Sequence, residues 1–172
     1  MSLMIDNMNK DKYQVDYISA HQEKWDRRYL GLAKYYSQFS KDPSTKVGAV
    51  VVNSSNRVVG MGYNGFPPGV EDTEERYNNR ELKYKLVVHA EVNALLDAGE
   101  RALGGTLYVW PSFALPPICN ECCKVAITAG IFLIVGFEAD ENDERAQRWK
   151  ESIAVSKMLC DEAGVFYRGL KE

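Results

Sequence analysis

Two short stretches carry side chains that could do chemistry together. "VVHAEVNALL" sets His89 two residues before Glu91, and "PPICNECCKVAI" holds Cys119, Cys122 and Cys123. An imidazole and two thiolates make three ligands for a zinc-like cation. A tetrahedral ion held by three protein groups keeps its fourth position for water, which marks a catalytic rather than a closed structural site. Cys122 and Cys123 both fall within one helical turn of Cys119, so spacing alone leaves the second thiolate open. Zinc lowers the pKa of its water to about 7. Glu91, too close to the ligand histidine to be forced onto the metal, is placed to carry that water's proton, a service worth roughly 10²–10⁴-fold. Taken singly, the histidine reads as an ordinary hydrogen-bonded residue, Glu91 as a helix N-terminal carboxylate and C-x-x-C as a redox pair. Together, each half opening a helix with a strand between them, they favour metal-assisted hydrolysis.

The elements that must bring these halves together follow from hydrophobic periodicity. Trp25, Tyr29, Leu32, Ala33, Tyr36 and Phe39 recur at helical spacing and predict an amphipathic helix stopped by Asp42 and Pro43. "KVGAVVVN" and "RVVGMGYN" flank the turn "SSN" and predict a hairpin of buried strands. A polar stretch of about two dozen residues follows, expected as a long loop with a short helix inside. Next come a helix over about 88–98, the strand "GTLYVW", a helix over about 119–129, the strand "IFLIVGF", a helix over about 145–163 and the strand "VFYRG". Gly130 and Gly164 stand where helices should end. Strand-helix-strand alternation requires parallel pairing with right-handed crossovers. The expected fold is therefore an α/β, three-layer α/β/α sandwich, with a five-stranded mixed sheet, an antiparallel first hairpin and a parallel remainder. Helix starts that follow strands gather at one sheet edge, where His89 and Cys119 can meet.

Composition limits the partners. A chain of 172 residues suits one domain, read as 21–172 behind a flexible arm over 1–20. The net charge of −3 gives no general attraction to nucleic acid, and no segment has the length and apolarity of a signal peptide or membrane span. The expectation is a cytoplasmic protein with no membrane partner, whose four cysteines are thiols or ligands rather than disulfides. The acidic run "EADENDER" reads as a solvated loop and helix start.

With these residues in hand, the chain resembles the deoxycytidylate deaminases of the zinc-dependent cytidine deaminase superfamily, in which H-x-E with a downstream C-x-x-C is the signature. The likeness runs from about Trp25 to Arg168 through "SKDPSTKVGAVVVN", "GMGYNGFPPG", "VVHAEVNALL", "GTLYVW" and "PPICNECCKVAITAGI". It implies the cytidine deaminase fold and hydrolysis of dCMP to dUMP and ammonia, a step toward thymidylate. One zinc per chain would be held by His89, Cys119 and Cys122, with Glu91 as proton shuttle and Cys123 and Cys160 as buried bystanders. The resemblance further implies Asn53 at the sugar hydroxyl, the Ala90 backbone at the base, and a dCTP/dTTP effector loop at Gly62, Tyr63, Asn64 and Gly65. It also implies a homo-oligomer, dimer or hexamer.

Departures alter the expectations. Phe39 stands where many relatives have arginine before "SKDP", leaving Ser40, Lys41 and Lys46 as phosphate candidates. Ile118 replaces the usual proline before the first metal cysteine, and "WPSFALPPI" is longer than the usual link. Alternatives are a deaminase of dCTP, cytidine or a tRNA base, or a catalytically silent zinc-binding assembly protein. The acidic balance argues against tRNA, and Glu91 argues against a silent site.

Overall fold

The computed structural model describes residues 19–138 and 143–171. Five strands form one sheet: β1 (Gly48–Val52), β2 (Val58–Tyr63), β3 (Thr106–Trp110), β4 (Leu133–Phe137) and β5 (Phe166–Leu170). Their spatial order is β2-β1-β3-β4-β5, with β1 antiparallel to β2 and β3, and with β3, β4 and β5 parallel. A tight turn can join only antiparallel strands, whereas the helical crossovers return β4 and β5 in the direction of β3.

Period two divides the strand side chains between two cores. Ala49 and Val51 join Leu107, Val109, Ile134 and Tyr167 beneath the helices α4 (Ala90–Ala98), α5 (Asn120–Thr128) and α6 (Glu144–Ala163). Val50 and Val52 join Tyr108 and Val135 beneath Tyr29, Leu30 and Ala33 of α1 (Ala20–Ser37). Helices on both faces make the three layers that the sequence predicts.

The first helix starts five residues earlier than its apolar pattern, because the Ser19 hydroxyl accepts the Gln22 N–H at 3.2 Å and caps it. Apart from Ser19 and Ala20, the expected arm lies outside the described residues. Asp26, fully buried, accepts the Tyr108 hydroxyl at 2.7 Å and the Arg168 guanidinium at 2.5 Å, which pins α1 to β3 and β5.

The long polar stretch holds two short helices rather than one, α2 (Glu74–Asn78) and α3 (Arg80–Leu86), with Asn79 ending the first and capping the second. Lys83 of α3 is buried, 3.1 Å from the Asp42 carboxylate and 2.6 Å from Ser44 Oγ, so α3 is tied to the segment after α1. On the other side of the sheet α4 lies tight on β2. A Cβ on Gly62 would stand 2.3 Å from the Ala90 carbonyl oxygen and 2.4 Å from the Ala94 nitrogen. Gly164 ends α6 at φ 73°, a left-handed cap that glycine adopts without a Cβ clash. Residues 139–142 of the acidic run lie outside the described residues, while Asp143 caps α6 by accepting the Arg145 N–H at 2.8 Å. Among the described residues no helix is long and apolar enough to cross a membrane.

Candidate active site

Both halves of the sequence pattern occupy helix N-caps. His89 caps α4 and Cys119 caps α5, each with extended backbone (φ −70°, ψ 151° and φ −75°, ψ 161°), so their side chains leave the helix ends toward one another. Cys119 Sγ lies 3.5 Å and Cys122 Sγ 3.2 Å from His89 Nδ1. The three ligand atoms are all within 4.8 Å of one another. A tetrahedral ion with Zn–N near 2.0–2.1 Å and Zn–S near 2.3 Å needs an N···S separation of about 3.6 Å. The donor set and its spacing therefore fit zinc. Cys123, one position round the helix, is fully buried among apolar side chains and faces α6, with its Sγ 3.6 Å from that of Cys160. Direction separates the two candidates that spacing left open: Cys122 faces the histidine and Cys123 does not.

The thiols and imidazole share protons. Cys119 is drawn down to about 4, first by the hydrogen bond from Cys122 and against burial, with His89 helping. Cys122 is pushed up by that same bond and by burial. His89 is raised to about 9, chiefly by its hydrogen bond with Cys119 and against burial. The cluster thus favours a thiolate, a thiol and an imidazolium, and a divalent ion taking two thiolates and a neutral imidazole would displace the two extra protons. Glu91, in the first turn of α4 and 6% exposed, has its carboxyl raised by burial, with His89 pulling the other way. A buried carboxyl beside the ligand cluster is placed to take a proton and to give it back.

His89, Glu91 and Cys119 line a cavity of about 440 Å³. Ala90, Val47 and Val109 supply apolar wall, and Asn64 a polar one. The Asn64 amide is oriented by the backbone of neighbouring lining residues: its Oδ1 accepts the Val47 N–H at 2.7 Å and its Nδ2 donates to the Thr45 carbonyl at 2.9 Å. Trp149 of α6 stands edge-on to His89, ring centroids 6.2 Å apart at 82°. Phe113, Ala114, Pro117 and Ile118 line the cavity too, so the long "WPSFALPPI" segment is one of its walls. Arg80, Arg145 and Arg148 complete the lining, with the Arg145 guanidinium 4.7 Å above the Phe113 ring.

Several sequence-predicted residues stand elsewhere. Asn53 belongs to the turn between β1 and β2, at the opposite end of the sheet from the cavity, where its Oδ1 accepts the N–H groups of Ser55 (3.1 Å) and Arg57 (3.0 Å). It cannot reach a sugar in the cavity, whereas Asn64 and Asn78 are among the lining residues. Ser40 is buried beneath the wall, its hydroxyl donating to the Asn64 carbonyl at 2.8 Å. Lys41 points away and pairs with Asp72 at 2.7 Å. Lys46 lines a separate adjoining cavity with Trp110, Ser112 and Phe137. None of these three is among the main cavity's lining residues. Of the "GYNG" residues, Gly62 is sealed under α4, Tyr63 is partly exposed against Tyr36 and Phe39, and Gly65 bridges to Val88. Sequence reasoning missed Arg80, Arg145, Arg148 and Trp149. The signal was there for α6: Arg145, Arg148, Trp149 and Ile153 recur at helical spacing and all line the cavity.

Known proteins resemble this chain. The family model "Cytidine and deoxycytidylate deaminase zinc-binding region" matches residues 23–137. The human deoxycytidylate deaminase is 36% identical over 151 residues, covering 84% of this chain and 79% of the human one. A probable deoxycytidylate deaminase of Caenorhabditis elegans is 37% identical over 145 residues, 82% and 67% of the two chains. In structure, the dCMP deaminase of cyanophage S-TIM5 in complex with dCMP and dUMP superposes with a TM-score of 0.63 over 90% of this chain and all of the phage chain, at 24% identity.

Proposed function

This chain belongs to the cytidine and deoxycytidylate deaminases, zinc-dependent hydrolytic enzymes, and on that premise we propose that it hydrolyses dCMP to dUMP and ammonia. In this reading His89, Cys119 and Cys122 hold one zinc and Glu91 moves the protons. The observation that carries it is the buried Glu91 carboxyl beside the three-ligand cluster, in the lining of one cavity. A closed structural site has no use for such a group.

Zinc, when bound, supplies the Lewis acidity that yields hydroxide at neutral pH. Glu91 accepts the proton of the attacking water and delivers it to N3 of the cytosine as oxygen adds to C4. It then passes the second proton to the 4-amino group, so that the C4–N bond breaks and ammonia leaves. The Ala90 backbone, at the first turn of α4, borders the base. The Asn64 amide, held by Val47 and Thr45, keeps one N–H and one acceptor lone pair for the sugar. Human and nematode relatives named for dCMP support the choice of substrate.

Regulation by dCTP and dTTP belongs to the same reading, at the "GYNG" loop. Gly62 and Asn64 are engaged in packing, so an effector base would use the face of Tyr63 and Phe39, 37% and 52% exposed. Adding dTTP to the deamination assay with and without dCTP tests it, and unchanged rates in both would remove it.

The deciding experiment measures ammonia release from cytidine, deoxycytidine, dCMP and dCTP alongside zinc content of the same sample. We expect one zinc per chain and preference for dCMP. Zinc without ammonia from any of the four would leave the silent assembly protein standing instead.

A further inference from the structure

We propose that the 5′-phosphate of the substrate is read from the α6 side of the cavity, by Arg145 and Arg148 with Arg80 opposite on α3, and that Phe113 is a positioning residue for Arg145. The proposal rests on the cytosine-deaminating reading above and adds the contact that selects a nucleoside 5′-monophosphate over the free nucleoside.

The segment that follows α1 puts no cation into this cavity, since neither Lys41 nor Lys46 is among its lining residues. Phe39 occupies the position before "SKDP", Lys41 is paired with Asp72 away from the cavity, and the Lys83 ammonium is held by Asp42 and Ser44. On α6 the situation is reversed. Arg148 lines the cavity with no hydrogen-bond or ion-pair partner among the described residues. Arg145 gives Nε and Nη2 to Asp143, at 3.0 and 2.6 Å, which leaves Nη1 without a hydrogen-bond partner among the described residues, and its plane rests on Phe113. A guanidinium held flat in this way presents a preformed fork to an oxyanion.

The helix also sets the distance between the two ends of the substrate. Ser152 clasps Asn120, the first residue of the metal helix, by accepting its N–H at 3.0 Å and donating to its Oδ1 at 2.7 Å. One turn back Trp149 stands against His89. A further turn back, about 6 Å along the axis at 1.5 Å per residue, comes Arg145. That step carries Arg145 away from the ligand cluster along the wall of the same cavity. Negative groups at the metal end and guanidiniums at the other orient the substrate base-first. A longer polyphosphate would extend toward the Asp143 carboxylate, fixed against Arg145.

The test compares kcat/KM for dCMP with that for deoxycytidine in wild type, Arg145→Met, Arg148→Met, Phe113→Ala, Phe113→Tyr and Lys41→Met. Each arginine change should lower the dCMP-to-deoxycytidine ratio by about 10–100-fold, the loss of a charge-assisted contact. Phe113→Ala should raise KM for dCMP with little change in kcat, Phe113→Tyr should restore it, and Lys41→Met should leave the ratio alone. Unchanged ratios in both arginine variants, or a loss confined to Lys41→Met, would overturn the proposal. Calorimetric binding of dUMP against deoxyuridine to the same proteins reads the phosphate contact without turnover. Failure of the phosphate assignment is thereby distinguished from failure of the deaminase reading, which would show as wild-type inactivity on both substrates.

Discussion

Replacing Glu91 by Gln tests the proton pathway with the smallest change of shape. The amide keeps the volume of the carboxyl but can neither accept the water's proton nor return it. A positioned acid-base group contributes roughly 10²–10⁴-fold, or about 3–6 kcal/mol of barrier at about 1.4 kcal/mol per tenfold. The surroundings place the loss at the upper end. Asp42 is the one other carboxylate among the described residues lining the cavity, and it is committed to Lys83, Ser44 and Thr45. No neighbour can take over both proton transfers. The fold should not suffer, because burial raises the Glu91 carboxyl and so opposes its ionisation. A group whose folded pKa is raised in this way weakens the folded state wherever it is ionised, and a neutral amide removes that penalty. We expect kcat for ammonia release to fall about 10⁴-fold, with zinc content by mass spectrometry unchanged and Tm equal to or above that of wild type. Turnover within tenfold of wild type, with zinc still bound, would refute the assignment of Glu91.

Four further outcomes follow from the packing. Cys119→Ala or Cys122→Ala should lose zinc on dialysis whereas Cys123→Ala should retain it, because Cys123 faces Cys160 rather than His89. Asp26→Ala should cost about 3–5 kcal/mol in urea unfolding by leaving the Arg168 guanidinium buried and unpaired; a loss below 1 kcal/mol would mean that α1 is held by apolar contacts alone. Gly62→Ala forces α4 away from β2 at backbone atoms, at a cost of about 1–3 kcal/mol. Since α4 carries His89 and Glu91, zinc affinity and kcat should fall with it, and wild-type values of both would show that the helix yields without consequence. The Asp42 carboxyl is raised by burial, but hydrogen bonds from Ser44, Thr45 and Lys83 outweigh this and hold it below its ordinary value. Its contribution to stability is therefore present above the unfolded pKa of about 4 and lost as pH falls through the lower folded value. Urea midpoints of wild type should drop across that window, and those of Asp42→Asn should be flatter there.

Chemistry confined to a few consecutive residues was legible in this sequence, and chemistry assembled by approach was not. His89, Glu91, Cys119 and Cys122 are readable because each half of the cluster sits within one helical turn, and the β-α-β alternation dictates that the two helix starts share a sheet edge. The sheet order and both faces of helices follow from the same alternation. Asn53 and Asn64 show where this logic stops. Both close a strand of the same hairpin, both are followed by turn residues, and antiparallel pairing sends one to each end of the sheet. Which end holds the site depends on where α4 begins, and that is a tertiary fact.

Charge misled for a related reason. A lysine's place in sequence says nothing about its partner, and here Lys41 and Lys83 are each neutralised by an aspartate, Asp72 and Asp42. Two of the arginines that line the cavity lie at the start of α6, Arg145 closing an acidic run and Arg148 just beyond it, and the run's average charge hid them. Periodicity would have separated them from that run. Arg145, Arg148, Trp149 and Ile153 share one helical face, and a face that mixes two cations with an indole and an aliphatic side chain has no business being solvated throughout. Such a face needs either an anion or a wall of substrate to cover it, and in this fold the start of α6 can meet both in the cavity that ends at His89.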